Sequence, residues 1–520
     1  MKKSEIIWMA FIEGGLVMLL EVSSPLIVSP VLGNSINIWA AMISISIGAL
    51  ALGYFAGGVL LNDKRRTVAT VATFFSINSI LLLLGWLLIS LQNDYTFISD
   101  YRYSSWLIIF VILFLPLAIF GATTPVLISV LNGEDKQNQR VVGNVYAVST
   151  LGGIVFSLFT GFYLVPEMGL MRTILMAAFI TGAVSFIHYV RSGKIKYYAS
   201  LGGMLLLCLI MLNKQPVLAN TSSIKVLEYS ESANGQLIVA DMYKDEQVER
   251  ILFINRMGQT WINLTSNYSV WGYPNYLTSL ASIYPAGTNS LVLGLGGGIV
   301  SRQLKEYNKF NVEAVELDER IIAISKKYFK LDKSGVRIYH DDARRFIKNS
   351  KKKYDFIVLD IFSGELVPSH GLSKESFDDI KRILDPKGML VINFNGFLTG
   401  KEGLAGRSLL KTLTESGFSL KLFSTNETNE EDRNMLYIAY LNEPEWEKAS
   451  IHVNVEEGQF KIADHFTDVS KIDMSDAILI TDDKPVMEYI NRYAAARWRE
   501  NYYKNFTLKF KDDYKVPLIN

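Results

Sequence analysis

Seven apolar stretches, each long enough to cross a hydrocarbon layer, occupy the first 212 of 520 residues and constrain this chain more than any other feature. They run at Ile6–Val31, Ile36–Leu61, Val68–Leu91, Trp106–Leu131, Val141–Val165, Thr173–Val190 and Tyr197–Leu212. A helix needs about 20 apolar residues to span a bilayer, so each stretch reads as a transmembrane helix. Charge tells the same story in reverse. Of the 52 basic and 51 acidic residues, only about 20 precede Asn213, which implies lipid around the first part and water around the second. The first stretch holds Glu13 and Glu21, lacks a small-residue cleavage site and is followed by further spans, so it reads as a retained helix and not as a signal peptide. A multi-pass cell-membrane location with the lipid bilayer as partner is expected.

The loops carry a bias. Lys2, Lys3, Lys64, Arg65, Arg66, Lys136, Arg140, Arg191, Lys194 and Lys196 fall on one side, against Arg102, Arg172 and Lys214 on the other. This places the N-terminus in the cytoplasm, and an odd number of spans places the C-terminal part outside. A cytosolic co-substrate conflicts with that, so either the domain is external or one stretch is re-entrant, with Pro25 and Pro30 marking the first. Glu13 and Glu21 are costly in lipid and should face the bundle interior, as a proton or amine site or as carboxylates satisfied by neighbours such as Ser23 and Ser24. Gly53 and Gly57 form a small-xxx-small pair suited to close helix packing.

After Asn213 the pattern changes. Alternating segments at Lys225–Ser230, Gln236–Met242, Arg250–Asn255 and Thr260–Asn263, with turns at Asn234-Gly235 and Met257-Gly258, predict a small antiparallel sheet. From Ser290, apolar runs (LVLGLGGG, VEAVELD, VRIYHDD, YDFIVLD, GMLVINF) alternate with helical stretches and predict a doubly wound, mostly parallel sheet. The expected organisation is a transmembrane helical domain over 1–212, a linker over 213–223, a small β-domain over 224–270, a Rossmann-like domain over 271–495 and a tail over 496–520.

Ligands of such sheets bind beyond the C-terminal ends of the strands. There the chain places Gly294, Gly296, Gly297 and Gly298, whose missing side chains let backbone N–H groups approach a ligand. Glu316 ends the next strand, where a carboxylate can accept ribose hydroxyls; Asp341 and Asp342 end the third, and Asp360 the fourth. Glycines of this kind also fit a dinucleotide-binding domain, but Asp342-Ala343 after the third strand offers a carboxylate and an N–H for an adenine edge, as in class I S-adenosylmethionine (AdoMet) enzymes. The net charge of +1 supplies no basic footprint, so nucleic acid is not an expected partner. The one cysteine, Cys208, lies in an apolar run and reads as packing. No His, Cys or carboxylate group has metal-ligand spacing, so no metal is expected. No Walker motif accompanies the spans.

From Ile224 to Tyr489 the chain resembles the spermidine synthase (aminopropyltransferase) family, including its membrane-fused bacterial members. The resemblance is carried by LGLGGG, by Glu316 and Asp318 in VELD, by Asp342-Ala343, by Asp360 in YDFIVLDIFSG, and by PSHGLSKESF and ILDPKGMLVINF. It implies that Gln259 lies near the nucleoside, Glu316 binds ribose, Asp342 binds adenine and Asp360 faces the reacting centre. It further implies AdoMet or decarboxylated AdoMet as co-substrate, a small-molecule amine or hydrophobic acceptor, and a homodimer. Departures fall on the amine side. The family's glycine-loop Asp is here Gly297, its second Asp is Ser363, and its Tyr-His is Tyr273-Pro274. Loss of the loop carboxylate removes both an attraction for ammonium and a repulsion of carboxylate, so intact AdoMet is an expected donor.

Asp360 is the expected catalytic carboxylate, with Tyr273 orienting the acceptor. Ser363, His370, and Asp482 and Asp483 of TDDKP, a motif typical of membrane-fused relatives, are the candidates for the acceptor side. Arm transfer with release of methylthioadenosine is the first reading. An AdoMet lyase or cyclase is the second and methyl transfer a weaker third, while a nucleoside- or polyamine-binding transporter or sensor is the alternative that Glu13 and Glu21 favour.

Overall fold

A computed structural model of the chain describes residues 3–32, 36–59, 67–94, 106–132, 139–212, 223–232, 234–244, 247–362, 368–425, 434–449 and 465–509. Ser363, most of the expected linker and residues 510–520 of the tail lie outside them. The chain divides into two compact units, one made of the N-terminal helices with residues 229–237, the other running from Ile238 to the C-terminal helix.

The first unit contains α1 (Lys3–Leu32), α2 (Ile36–Val59), α3 (Val68–Asp94), α4 (Leu115–Asn132), α5 (Gln139–Phe159), α6 (Leu170–Arg191) and α7 (Ile195–Leu212). A π-helical turn, Phe110–Phe114, leads into α4, and another, Thr160–Met168, extends α5 past Pro166. Among the described residues seven helices are long and apolar enough to cross a membrane. Their apolar character runs all the way round. Ile47, Phe55, Ile154 and Phe162 are exposed, while small residues make the inner contacts. A Cβ on Gly53 would strike the Ala118 backbone, and one on Gly152 the Phe11 carbonyl, so α2 meets α4 and α1 meets α5 at backbone distance. α1 continues through Pro25 as one helix of 30 residues, about 45 Å long at ~1.5 Å per residue, and is not a re-entrant pair of half-helices.

The small sheet has four strands in the order β1 (Ile224–Ser232), β2 (Gly235–Lys244), β3 (Gln247–Ile254) and β4 (Met257–Asn263). The last turn differs from the expected Met257-Gly258. Asn255 and Arg256 take it, with φ of 48° and 64°, the left-handed pair that a two-residue hairpin needs. Met257 and Gly258 therefore belong to β4, and Gly258 pairs with Phe253 at a break in register.

The second unit then builds α8 (Tyr273–Ala281), β5 (Asn289–Leu293), α9 (Ile299–Glu306), β6 (Asn311–Glu316), α10 (Glu319–Tyr328), β7 (Arg337–His340), α11 (Ala343–Asn349), β8 (Tyr354–Leu359), α12 (Lys374–Ile383), β9 (Leu384–Asn395), α13 (Leu404–Glu415), β10 (Ser419–Ser424), β11 (Asn434–Tyr440), β12 (Phe466–Thr467), α14 (Met487–Ile490) and α15 (Arg492–Lys509). Its sheet has the order β12-β10-β11-β9-β8-β5-β6-β7. β7, β6, β5, β8 and β9 are parallel, and β11, β10 and β12 continue antiparallel. Apolar clusters cover both faces, which is why the strands read as continuous apolar runs. The chain leaves β5 toward β6 and β7 on one side and returns to β8 and β9 on the other. The crevice of this sheet thus opens at the C-terminal ends of β5 and β8.

Candidate active site

Gly294, the first residue after β5, and Asp360, the first after β8, meet at that crevice. The Asp360 N–H donates to the Leu293 carbonyl (2.8 Å), and a Cβ on Gly294 would strike the Asp360 carbonyl oxygen. Gly294, Gly296 and Gly298 have φ of 90°, 53° and 77°, and Gly298 leads directly into α9. Gly297 is different. Its N–H donates to Thr260 Oγ1 of β4 (2.7 Å), and a Cβ there would lie 2.5 Å from Thr260 Cγ2. Thr260 thus holds the volume into which a side chain at 297 would grow.

Glu316 closes the loop from the next strand. Its Oε2 accepts the Leu295 N–H (3.0 Å) and its Oε1 the Asp318 N–H (2.9 Å). Burial pushes its pKa up against the downward pull of those N–H groups. Asp318 caps α10 through the Arg320 N–H (3.0 Å) and pairs with the Arg320 guanidinium (2.6 Å). Asp342 caps α11 by accepting the Arg345 N–H on Oδ1 (2.8 Å), and Ala343 is the first residue of that helix. Asp341 accepts the Asp342 N–H (2.7 Å) and pairs with Arg345.

Around Asp360 the geometry is tighter. Tyr273 donates its hydroxyl to Oδ2 (3.1 Å), and Asn393 of β9 donates its amide to Oδ1 (2.9 Å). Asn434 of β11 donates to the Oδ1 of Asn393 (2.8 Å) and of Asn395 (2.6 Å), so the orienting chain crosses two strands. Burial raises the Asp360 pKa, and the bonds from Asn393 and Tyr273 hold it down in part. Burial, and then the Asp360 carboxylate, push the Tyr273 hydroxyl well above its ordinary value. A desolvated carboxylate of raised basicity, with both oxygens held, is suited to accepting a proton from a reacting group.

The residues assigned to the acceptor side have partners of their own, and the loop that carries His370 packs through Gly371 against Ile361, the neighbour of Asp360. His370, exposed, stands with Nε2 3.8 Å from Asp342 Oδ2. Asp482 accepts the Ser373 hydroxyl at the N-terminus of α12 (2.5 Å) and pairs with Arg344 (3.3 Å). Asp483 is exposed in the same tight turn, where the Lys484 N–H bonds the Thr481 carbonyl (3.0 Å). His370 and Asp482 thus meet elements around Asp342, the turn being anchored by α12 and by Arg344 next to Ala343. Ser363 lies outside the described residues. Gln259 is partly buried in β4 beside Gly258, whose N–H donates to the Tyr502 hydroxyl of α15 (3.0 Å). Sequence reasoning missed Thr260, Asn393 and Asn434. The signal for Asn393 was present, as a polar side chain inside the apolar run LVINF, whereas nothing local pointed to Thr260 or Asn434.

Glycines and a buried carboxylate at the switch point of a doubly wound sheet, with a held carboxylate opposite, define a Rossmann-type α/β domain whose crevice lies where such sheets bind ligands. The family model that matches is the spermine/spermidine synthase domain, over residues 273–406, and the C-terminal region of the chain carries that domain. Curated relatives include polyamine aminopropyltransferase 2 of Aquifex aeolicus (strain VF5), 22% identical over 416 residues that cover 76% of this chain and 80% of the relative. A probable polyamine aminopropyl transferase of Bifidobacterium longum (strain NCC 2705) is 28% identical over 238 residues, 42% of this chain and 53% of the relative. Among solved structures, a probable spermidine synthase from Corynebacterium glutamicum ATCC 13032 aligns at a TM-score of 0.37 with 19% identity, over 43% of this chain and 82% of its own.

Proposed function

We propose that the C-terminal domain transfers the three-carbon arm of AdoMet or decarboxylated AdoMet to an amine, releasing methylthioadenosine in polyamine biosynthesis, and that the seven apolar helices hold it in a membrane. In the transfer, the acceptor nitrogen forms a bond to the arm's γ-carbon as the C–S bond breaks. The sulfur keeps the electron pair, and the acceptor's proton passes to Asp360. The observation that carries this reading is Asp360 at the β5–β8 switch point, its oxygens held by Tyr273 (3.1 Å) and Asn393 (2.9 Å). The names of the curated relatives support the same reaction class.

In this reading Glu316 and the N–H groups of Leu295 to Gly298 take the nucleoside, Gln259 lies beside it, and Asp342 with Ala343 meets the adenine. Intact AdoMet is the favoured donor: position 297 carries no carboxylate, and Thr260 occupies the space one would need. The exposed apolar exterior of α2 and α5 supports burial in lipid. The deciding experiment incubates the purified chain with each donor, with and without amines, and identifies products by mass spectrometry. Methylthioadenosine together with an alkylated amine supports transfer. Adenosylhomocysteine, or no product with either donor, would overturn the reaction, and a preference for decarboxylated AdoMet would overturn the choice of donor.

A further inference from the structure

The strand order sets the proposed site out in a line. Asp342 lies just beyond β7, Glu316 ends β6, the glycine loop follows β5 and Asp360 follows β8. On the side of Asp360 away from the nucleoside residues come β9 and then β11. Three asparagines stand there, Asn393 and Asn395 at the end of β9 and Asn434 at the start of β11. Asn434 is opposite Asn395 in the antiparallel register, and Asn393 shares the face of Asn395 because alternate residues of a strand do. Two carbonyl oxygens of β9 converge on one group: the Asn434 amide donates to Asn393 Oδ1 (2.8 Å) and to Asn395 Oδ1 (2.6 Å). A side-chain amide has an acceptor end and a donor end, so holding both oxygens toward β11 turns both NH2 groups away from it, toward β8. That of Asn393 is buried and reaches Asp360 Oδ1 (2.9 Å). That of Asn395, a partly exposed residue, has no partner among the described residues.

Two residues along a strand span about 7 Å, so the Asn395 amide lies that far beyond Asn393, past the Asp360 carboxylate and on the ligand side of the strand ends. An NH2 group can only donate, and an ammonium has no lone pair to receive it. The partner it fits is an oxygen, most strongly that of a carboxylate, whose charge shortens and strengthens the bond. An amine nitrogen and an oxygen joined through three carbons stand about 5 Å apart by ordinary bond geometry. Such a molecule sets its nitrogen at Asp360 and its oxygen at Asn395. We propose that Asn395 is the residue that selects the acceptor: a short primary amine carrying a carboxylate or hydroxyl oxygen, in preference to a diamine of the same length. The proposal rests on the transfer reading and narrows its acceptor. Asn434 has the positioning role, because only a side chain with two N–H donors holds both oxygens of β9.

The test gives the full chain in lipid nanodiscs a matched three-carbon series: propylamine, 3-aminopropan-1-ol, 3-aminopropanoate and 1,3-diaminopropane. Methylthioadenosine release with each donor is read by mass spectrometry, and binding of each amine in the presence of methylthioadenosine is read by calorimetry, which needs no turnover. The wild type should prefer 3-aminopropanoate to propylamine by about 30-fold and the alcohol by about fivefold, the orders of a charged and a neutral hydrogen bond. The diamine should gain nothing over propylamine. Asn395→Asp keeps the oxygen that Asn434 holds and replaces the outward NH2 by a carboxylate oxygen. The series should then invert, with the diamine about 10-fold ahead of propylamine and 3-aminopropanoate behind it. A wild type that favours the diamine, or a series that keeps its order in Asn395→Asp, overturns the proposal. Should Asn395→Asp fail to fold, an Asn395→Ala chain that retains the preference for 3-aminopropanoate overturns it instead. Absence of methylthioadenosine with every amine, while binding follows the series, overturns the transfer reading and leaves the selection by Asn395 standing. Turnover with a flat series in both readouts overturns the selection alone.

Discussion

The two units of this protein bury polar groups for opposite reasons. In the helical unit, the exterior is as apolar as the interior, so burial of apolar surface gives no direction to helix association, and glycines set the close contacts. There a polar group such as Glu13 or Asn78 is enclosed within the bundle. In the C-terminal unit the apolar strands are covered on both faces, and polar groups gather where strands end and side chains turn toward a ligand. The difference teaches that position decides function in the second unit, whereas enclosure alone marks a residue in the first.

The sharpest test of the strand-end logic is Asp360→Asn, which keeps the shape of the site and removes the proton acceptor. Its release of methylthioadenosine should fall by about 10³-fold at constant thermal stability, within the ~10²–10⁴ range of general-base catalysis. A variant with full turnover would break the assignment. Asn393→Ala removes the donor to Asp360 Oδ1 and also one of the two side-chain acceptors of the Asn434 amide. A loss of about 10²-fold in kcat is expected, of the order of one hydrogen bond to a charged group plus its misorientation.

On the other side of the comparison, Ile154→Lys places a charge on the exposed face of α5, where lipid contact would cost about 3 kcal/mol, against at most ~0.5 kcal/mol for an exposed site such as Leu317→Lys in the C-terminal unit. Yield in the membrane fraction and melting in detergent read the contrast. Equal tolerance at both positions would mean that α5 does not face lipid.

The smallest effect is one of pH. Asp360 acts as the carboxylate, so the rate should fall about tenfold per pH unit below its pKa, and burial places that midpoint above the ordinary Asp value of ~3.9. Tyr273 and Asn393 both lower this pKa, so Tyr273→Phe should move the acidic limb to higher pH while reducing kcat only several-fold. A limb unchanged by Tyr273→Phe would show that another group titrates there.

How much was legible depends on the range of the interaction. The helices from α1 to α7 and the strands from β5 to β9 were readable because each is built on a mostly apolar run of helix or strand length. The β3–β4 turn was misplaced by two residues because Gly258 suggested a turn, whereas Asn255 and Arg256 supply the left-handed pair and Gly258 is instead fitted against Tyr502 and Trp271. His370 was named for its loop and Asp482 for its motif, and neither signal reveals their partners Asp342, Arg344 and Ser373, which come from other parts of the chain.

By itself the sequence determined the division into long apolar helices and a polar remainder, the alternation of strands and helices, and which strand ends carry carboxylates and glycines, since these follow from local composition and period. Only the tertiary structure decided that Gly294 must be glycine because the Asp360 carbonyl approaches it, that Thr260 fills the space beside Gly297, and that Tyr273, Asn393 and Asn434 hold Asp360. It likewise decided that Glu13 meets Thr124 and Ser149. The reason is physical. These contacts join residues from 33 to 136 positions apart, and a hydrogen bond or close approach of that range is set by how the elements pack, which no local pattern encodes.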